Sequence, residues 1–254
     1  MDFSDFWKYV SDEEALAGTG FGLFSVAHFI WLAVLFTAVA ICSVLYLRGG
    51  DKRRDNMRKC LALALVFIEL IKQCVNSFSH VPYGFYLPLE ICSLAEFAIL
   101  LDSMWPNGAI RKQVLAFAFL PAAFMALIMP TASIYPAISF YAIHQLVMHA
   151  LIVAYVVSRY RAKEIVPKYS GIWMSLAVIS ICIIPVYYIN SVMNRDYMFL
   201  MDPAGNPILE IVWNLSGGKT GMTYILGLEV FVAIVMHIVY VLFRVLGRRG
   251  GGSK

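Results

Sequence analysis

A cysteine, two histidines and several carboxylates stand inside stretches of this sequence that are otherwise apolar. Their types and spacing admit two kinds of chemistry. Cys92 and Glu96 are four residues apart and project from one face of a helix, while Glu90 points elsewhere. Gln145 and His149 likewise share a face, with His144 about 140° away. A thiol and an imidazole from separate helices are the minimum for nucleophilic catalysis: histidine takes the thiol proton, and Glu96 or Gln145 orients the ring. The second chemistry is proton or ion handling. Glu69 and Lys72, three apart, can neutralise each other on one face, and Glu229 and His237 add ionisable groups towards the C-terminus. Plainer roles exist for all of them. A buried thiol is commonly inert packing, a lone intramembrane histidine bonds a neighbouring helix, and Glu69–Lys72 is a structural ion pair. The full inventory is nevertheless too rich for an inert anchor and describes an interior polar chamber.

The elements that must position these groups follow from composition. With 61% hydrophobic and 14% charged residues in 254, the chain carries more apolar surface than a soluble domain can hide. Apolar runs lie at about 22–47, 59–79, 83–103, 113–131, 135–158, 169–190 and 219–243. Each can cross a hydrocarbon core of roughly 30 Å at about 1.5 Å per residue. Backbone groups in lipid must pair within their own segment, and the alternation of barrel strands is absent, so the runs predict helices. The expectation is an all-α, polytopic membrane bundle of about seven transmembrane helices. It divides into an outer interfacial segment (1–21), a membrane domain (22–247, with an outer loop at 191–218) and a cytoplasmic tail (248–254).

Lys and Arg fix the expected orientation. Sixteen of the twenty fall in the loops around 48–59, 111–112 and 159–168 and in the C-terminal tail; Lys8, Arg195 and Lys219 lie on the other side, and Lys72 within a span. This asymmetry puts the N-terminus out and the C-terminus in. It also gives the net charge of +4 a topological meaning rather than a nucleic-acid partner. The five cysteines lack metal-ligand spacing, and no metal, cofactor or disulfide is expected. The acidic N-terminus lacks the features of a signal peptide, so the first span is expected to be retained. Phe3, Phe6, Trp7 and Val10 follow the spacing of an interfacial helix. The 191–218 loop is unusually apolar, with a turn at Asp202–Pro207, and is expected to pack on the membrane or over the bundle.

Depth leaves the partner of Cys92 open. If the third span begins at Gly84, Cys92 lies about 12 Å inside and His144 matches it. If the chain enters near Val81, His149 comes closer to level.

At Leu87, Pro88, Leu89 and Cys92 the sequence resembles the Leu-Pro-Leu-x-x-Cys motif of the YwaF-like integral membrane proteins of bacteria, relatives of the eukaryotic transmembrane protein 164 acyltransferases. Pro136 with His149-Ala-Leu-Ile, Asn194 with Tyr197-Met-Phe-Leu, and Tyr224-Ile-Leu with Glu229 resemble three further segments, and Phe24–His28 a fourth. Glu90 stands where the family has His, and Ala150 where it has Gly. The resemblance implies Cys92 as nucleophile, His149 as its base, and membrane phospholipids and lysophospholipids as substrates. The expected protein is a multi-pass enzyme of the plasma or inner membrane that moves an acyl group through a Cys92 thioester. Glu96 orients the base, and backbone donors near Pro88 hold the oxyanion. Hydrolysis by the same pair is one alternative; a transporter or channel using Glu69, Lys72, Glu229 and His237 is another. A retinal receptor is excluded, because the core of the last span has no lysine.

Overall fold

The computed structural model describes residues 6–9 and 20–249. Ser25 caps α1 (Val26–Arg48) by accepting the His28 amide at 3.2 Å. Helix α2 (Asp51–Phe78) follows across Gly49 and Gly50 and extends eight residues ahead of its apolar run, into the basic segment. Next come α3 (Ile91–Met104), α4 (Ala109–Val114), a π-helical segment (Leu115–Phe119) and α5 (Leu120–Ile128). Pro121 explains the wide turn: it donates no amide and its ring crowds the carbonyl four residues back. Ser139 caps α6 (Phe140–Arg161), and α7 (Tyr169–Met193) carries Pro185 in its interior. A short α8 (Pro207–Leu215) precedes α9 (Met222–Arg249). No strand occurs among the described residues.

Among the described residues, six helical stretches are long and apolar enough to cross a membrane. The seventh expected span differs. Only its second half is helical, and 14 residues reach about 21 Å. Pro82, Gly84 and Pro88 keep residues 79–90 out of the α conformation, because proline also disfavours helix at the residue before it. The chain therefore descends irregularly, with a 3-10 turn at Tyr83–Phe85, and begins its helix at Ile91 inside the bundle.

Polarity is inverted relative to a water-soluble protein. Phe29, Ile30, Val34, Ile181, Ile184, Val230 and Ile234 are more than half exposed, whereas His28, Asn76, Glu96, Asp102, His149, Arg159 and Asn190 are buried. An apolar exterior over polar contacts is what lipid selects. Helix α6 is the axis, packed against α1, α2, α3 and α5. Three of the basic loops meet at one end, where Arg54, Lys112 and Lys163 line a common cavity.

The interfacial pattern at Phe3 and Val10 lies outside the described residues. Beside it, Trp7 packs on Phe140 and Tyr9 on Tyr141. The 191–218 loop is structured. Asn206 caps α8, and Val212 buries with Tyr197, Leu200, Tyr224 and Leu228. A side chain at Gly227 would collide with Ser216, so glycine lets α8 lie close on α9.

Candidate active site

Helix α3 supplies the thiol. Cys92 sits in its first turn, half-buried against the main core, one residue after the terminal Ile91. No side chain caps this end, and the first intrahelical bond runs from the Leu94 amide to the Glu90 carbonyl. The amides of Ile91, Cys92 and Ser93 are thus left open, with the thiol against its own N–H. Open amides and the positive end of the helix dipole favour an anion there. Pro88 lies three residues before Ile91, outside the helix, so it breaks no bond within α3.

Helices α2 and α6 pack on α3 and complete a chamber. Lys72 Nζ pairs with Glu69 Oε2 at 2.7 Å, and Gln73 donates to Glu69 Oε1 at 2.6 Å and to the Tyr86 carbonyl at 3.0 Å. The Lys72 charge is within Coulombic reach of Glu90, Cys92, Glu96, His144 and His149. All five stand on α3, at its N-terminus or on α6, the elements packed against α2. Glu229 stands apart on α9, and His237 contacts Tyr169 and Trp173; no hydrogen bond or ion pair joins either to Glu69 or Lys72 among the described residues.

The histidines differ in a way that spacing does not reveal. His149 Nδ1 lies 2.6 Å from the Gln145 carbonyl, which only accepts. Nδ1 therefore carries the proton, and Nε2 keeps a free lone pair. That Nε2 is buried and has no protein partner. His144 Nε2 is also unpaired by hydrogen bonding, but it faces Glu69 Oε2 at 3.8 Å and its ring packs on Phe140. Neither ring hydrogen-bonds Cys92. The His149 ring is held by the Gln145 backbone, and no hydrogen bond joins it to Glu96 among the described residues. The Gln145 side chain turns away to Thr131 at 2.6 Å, and Glu96 Oε1 is buried without a partner.

The outer loop fixes the descending segment. Asn194 ends α7 in the left-handed conformation (φ 50°), a turn asparagine tolerates better than most residues. Asn190 brackets Tyr197, accepting its amide and donating to its carbonyl, both at 2.9 Å. Tyr197 then donates to the Gly84 carbonyl at 2.6 Å and accepts the Leu87 amide at 3.1 Å. A Cβ at Gly84 would meet Met193 Cε at 3.0 Å and Arg195 Nε at 3.3 Å, so those side chains would have to give way slightly. Met198, at φ 61°, donates its amide to Glu90 Oε2 at 3.0 Å. Asn194 and Tyr197 are legible as a motif; Asn190, the residue that does the clamping, passes for one more polar residue in a span.

Asp196 adds a pH dependence to this clamp. Burial, then the charge of Asp202, raise its carboxyl to about 6 despite amide donors from Met201, Leu200 and Asp202. A folded value above the unfolded one (3.8) means that the folded loop binds the extra proton. Stability from Asp196 is present below pH 4 and is lost as pH rises through about 6. Hydrogen exchange at 197–201, corrected for intrinsic rates, is expected to show weaker protection at pH 7 than at pH 5. Asp196→Asn should abolish that difference; an unchanged difference would reject the assignment.

A family model for the TMEM164 family matches residues 23–240. The chain belongs to the TMEM164 family. The matched stretch takes in every chamber residue, together with Leu87, Pro88, Leu89, Asn194 and Tyr197. No curated protein and no solved structure matches the chain. What the TMEM164 resemblance and the residue pattern both missed is a second buried polar cluster, Asp102, Tyr155, Arg159 and Glu164, at the far end of α3. In the sequence Arg159 counts as a loop charge, and Asp102 lies near the end of the 83–103 run. The signal was available, since a carboxylate and a guanidinium at the ends of two apolar runs on the same side can pair.

Proposed function

We propose that this TMEM164-family membrane protein is a phospholipid acyltransferase, with Cys92 as nucleophile and His149 as base. One observation carries the reading: Cys92 stands on an open helix N-terminus, and on the helix packed against it His149 keeps a buried Nε2 without a partner. His149 Nε2 takes the thiol proton as sulfur attacks an ester carbonyl of a phospholipid. The open amides of the first turn of α3 receive the oxyanion. The C–O bond then breaks, and His149 returns the proton to the departing lysophospholipid oxygen, leaving a Cys92 thioester. A second lysophospholipid hydroxyl gives its proton to His149, attacks the thioester and restores the thiol. Water as acceptor makes the same cycle a hydrolysis.

The acyl chain has a place to lie. A groove of about 510 Å³ between α8 and α9 is lined by Ile208, Ile211, Leu215, Leu226, Val230 and Ile234. Leu87 and Leu89, which lead to Cys92, pack against one apolar cluster with Tyr197, Val212, Tyr224 and Leu228. The basic end of the bundle is assigned to the cytoplasm of a plasma or inner membrane, by the Lys and Arg asymmetry.

The test is intact-protein mass spectrometry after incubation with an alkyne-tagged phospholipid. Wild type should gain one acyl mass that hydroxylamine removes, and Cys92→Ala should gain none. An adduct of equal yield on Cys92→Ala, or none on either protein with any phospholipid class, rejects the mechanism. One feature favours transport as a second reading: α3 starts inside the bundle, as half-helices of transporters do. That reading predicts solute flux into liposomes that Glu69→Gln abolishes and Cys92→Ala leaves intact.

A further inference from the structure

The end of the bundle opposite the α3 N-terminus holds a second polar site. Along α3, Cys92 and Asp102 are separated by about 15 Å, and past Asp102 the structure opens into a cavity of about 420 Å³. This is within the range of about 300–1,000 Å³ of small-molecule sites. The start of α2, the α3–α4 connection with α4, and the end of α6 with the connection after it build the cavity. Its lining presents five cations, Arg54, Arg58, Lys112, Arg159 and Lys163, against two carboxylates, Asp51 and Glu164.

The five cations are not equivalent, and the difference defines a site. Arg159 is buried and anchored: it pairs with Asp102, donates to Glu164 Oε2 at 3.0 Å and to the Pro106 carbonyl at 3.0 Å. Arg58 shares Glu164 at 3.3 Å and holds Asp55 at 2.9 Å, yet its Nε is buried with no partner. Arg54 is tied to the last carbonyls of α1, Tyr46 at 3.2 Å and Leu47 at 3.1 Å. These three make a rigid positive floor. Lys112 and Lys163 reach the same cavity and form no ion pair or side-chain hydrogen bond among the described residues. Lys163 also holds the left-handed conformation (φ 61°) just past the end of α6, where glycine would be unstrained. In addition, α2 starts at this cavity without a side-chain cap, leaving amides open beside Asp51.

A floor of fixed guanidinium groups, two uncommitted ammonium groups and open amides match a group with several negative oxygens. We propose that this cavity binds a phosphate-bearing anion, at a site separate from the Cys92 chamber. A phosphomonoester suits it best, because its doubly charged oxygens can meet Lys112 and Lys163 together while Arg58 Nε donates from below. Two sources carry that chemistry: an anionic phospholipid headgroup in the adjoining leaflet, for which basic pockets between membrane helices are suited, or free phosphate from solution.

The experiment is native mass spectrometry of the full-length protein in neutral detergent. Phosphatidic acid, phosphatidylcholine and inorganic phosphate are supplied in turn to wild type, to Lys112→Gln/Lys163→Gln, and to Lys52→Gln/Arg53→Gln. The last pair removes two charges from the same end but outside the cavity lining. Retention of phosphatidic acid over phosphatidylcholine by wild type, weakened about thirty-fold in the Lys112/Lys163 variant and little in the control, supports a headgroup site. The same pattern with inorganic phosphate, which then displaces the lipid, supports a free-anion site. Equal losses in both double variants reduce the effect to general surface charge and overturn the proposal. So does identical binding by all three proteins. Both lysines lack side-chain partners, so their loss should leave the fold intact; monodisperse elution of each variant checks this.

Discussion

Cys92→Ala is expected to abolish acyl transfer, His149→Ala to slow it by about 10²–10⁴-fold, and His144→Ala to slow it by less than about tenfold. The ordering follows from ring nitrogens, not from distance along α6. The Gln145 carbonyl fixes the proton on His149 Nδ1 and so presents Nε2 as a base at every encounter. His144 instead offers its Nε2 towards Glu69, whose Oε2 is already engaged by Lys72. Protonating His144 would rearrange that pair and not the reacting thiol. The measurement is transfer of a labelled acyl chain from phospholipid to lysophospholipid in nanodiscs, normalised to folded protein. Single-turnover thioester formation separates the two halves of the cycle, and His149→Ala should slow both, since one nitrogen serves both proton transfers. A His144→Ala defect larger than that of His149→Ala would reverse the assignment and recast His149 as packing.

The bundle was legible because lipid imposes a length and a polarity on every segment that crosses it. The same rule picked out the chamber residues, since Glu69, Lys72, Glu96, His144 and His149 are conspicuous where polar groups are costly. The start of α3 was misjudged for a physical reason. Hydropathy sees residues 83–103 as one apolar run, whereas Pro82, Gly84 and Pro88 act on backbone angles, to which hydropathy is blind. Depth arguments built on an early helix start therefore had no footing, and what distinguishes the histidines in the structure is a hydrogen bond. That bond involves a backbone carbonyl, which every residue has, so no residue type announces it. The clamp by Asn190 and the pairing of Asp102 with Arg159, 57 positions apart, were hidden likewise. Such contacts depend on which helices become neighbours, and connecting loops leave that choice open.

Arg159→Met is expected to destabilise the folded bundle by roughly 3–5 kcal/mol, more than any other single change in the cavity wall. Asp102 and Arg159 are 0% and 1% exposed, so removing the guanidinium leaves a carboxylate that water cannot reach. Tyr155 at 2.7 Å and Arg111 at 3.2 Å would remain on Asp102, while the Pro106 carbonyl would lose its donor. Asp102→Asn should cost less, because its amide oxygen still accepts from Tyr155 and Arg159. The double change Asp102→Leu/Arg159→Met is expected to be less damaging than Arg159→Met alone, since it removes the stranded charge together with its partner. Unfolding by a denaturing detergent titrated into micelles measures these differences, with wild type, Asp102→Leu, Arg159→Met and the double variant compared as a cycle. Additive losses would show that the two residues act independently despite their contact. Transfer activity per folded molecule should stay unchanged throughout, because the pair anchors the end of α3 farthest from Cys92. The network holds the far end of α3 in place, about 15 Å along the helix from the open turn at Cys92.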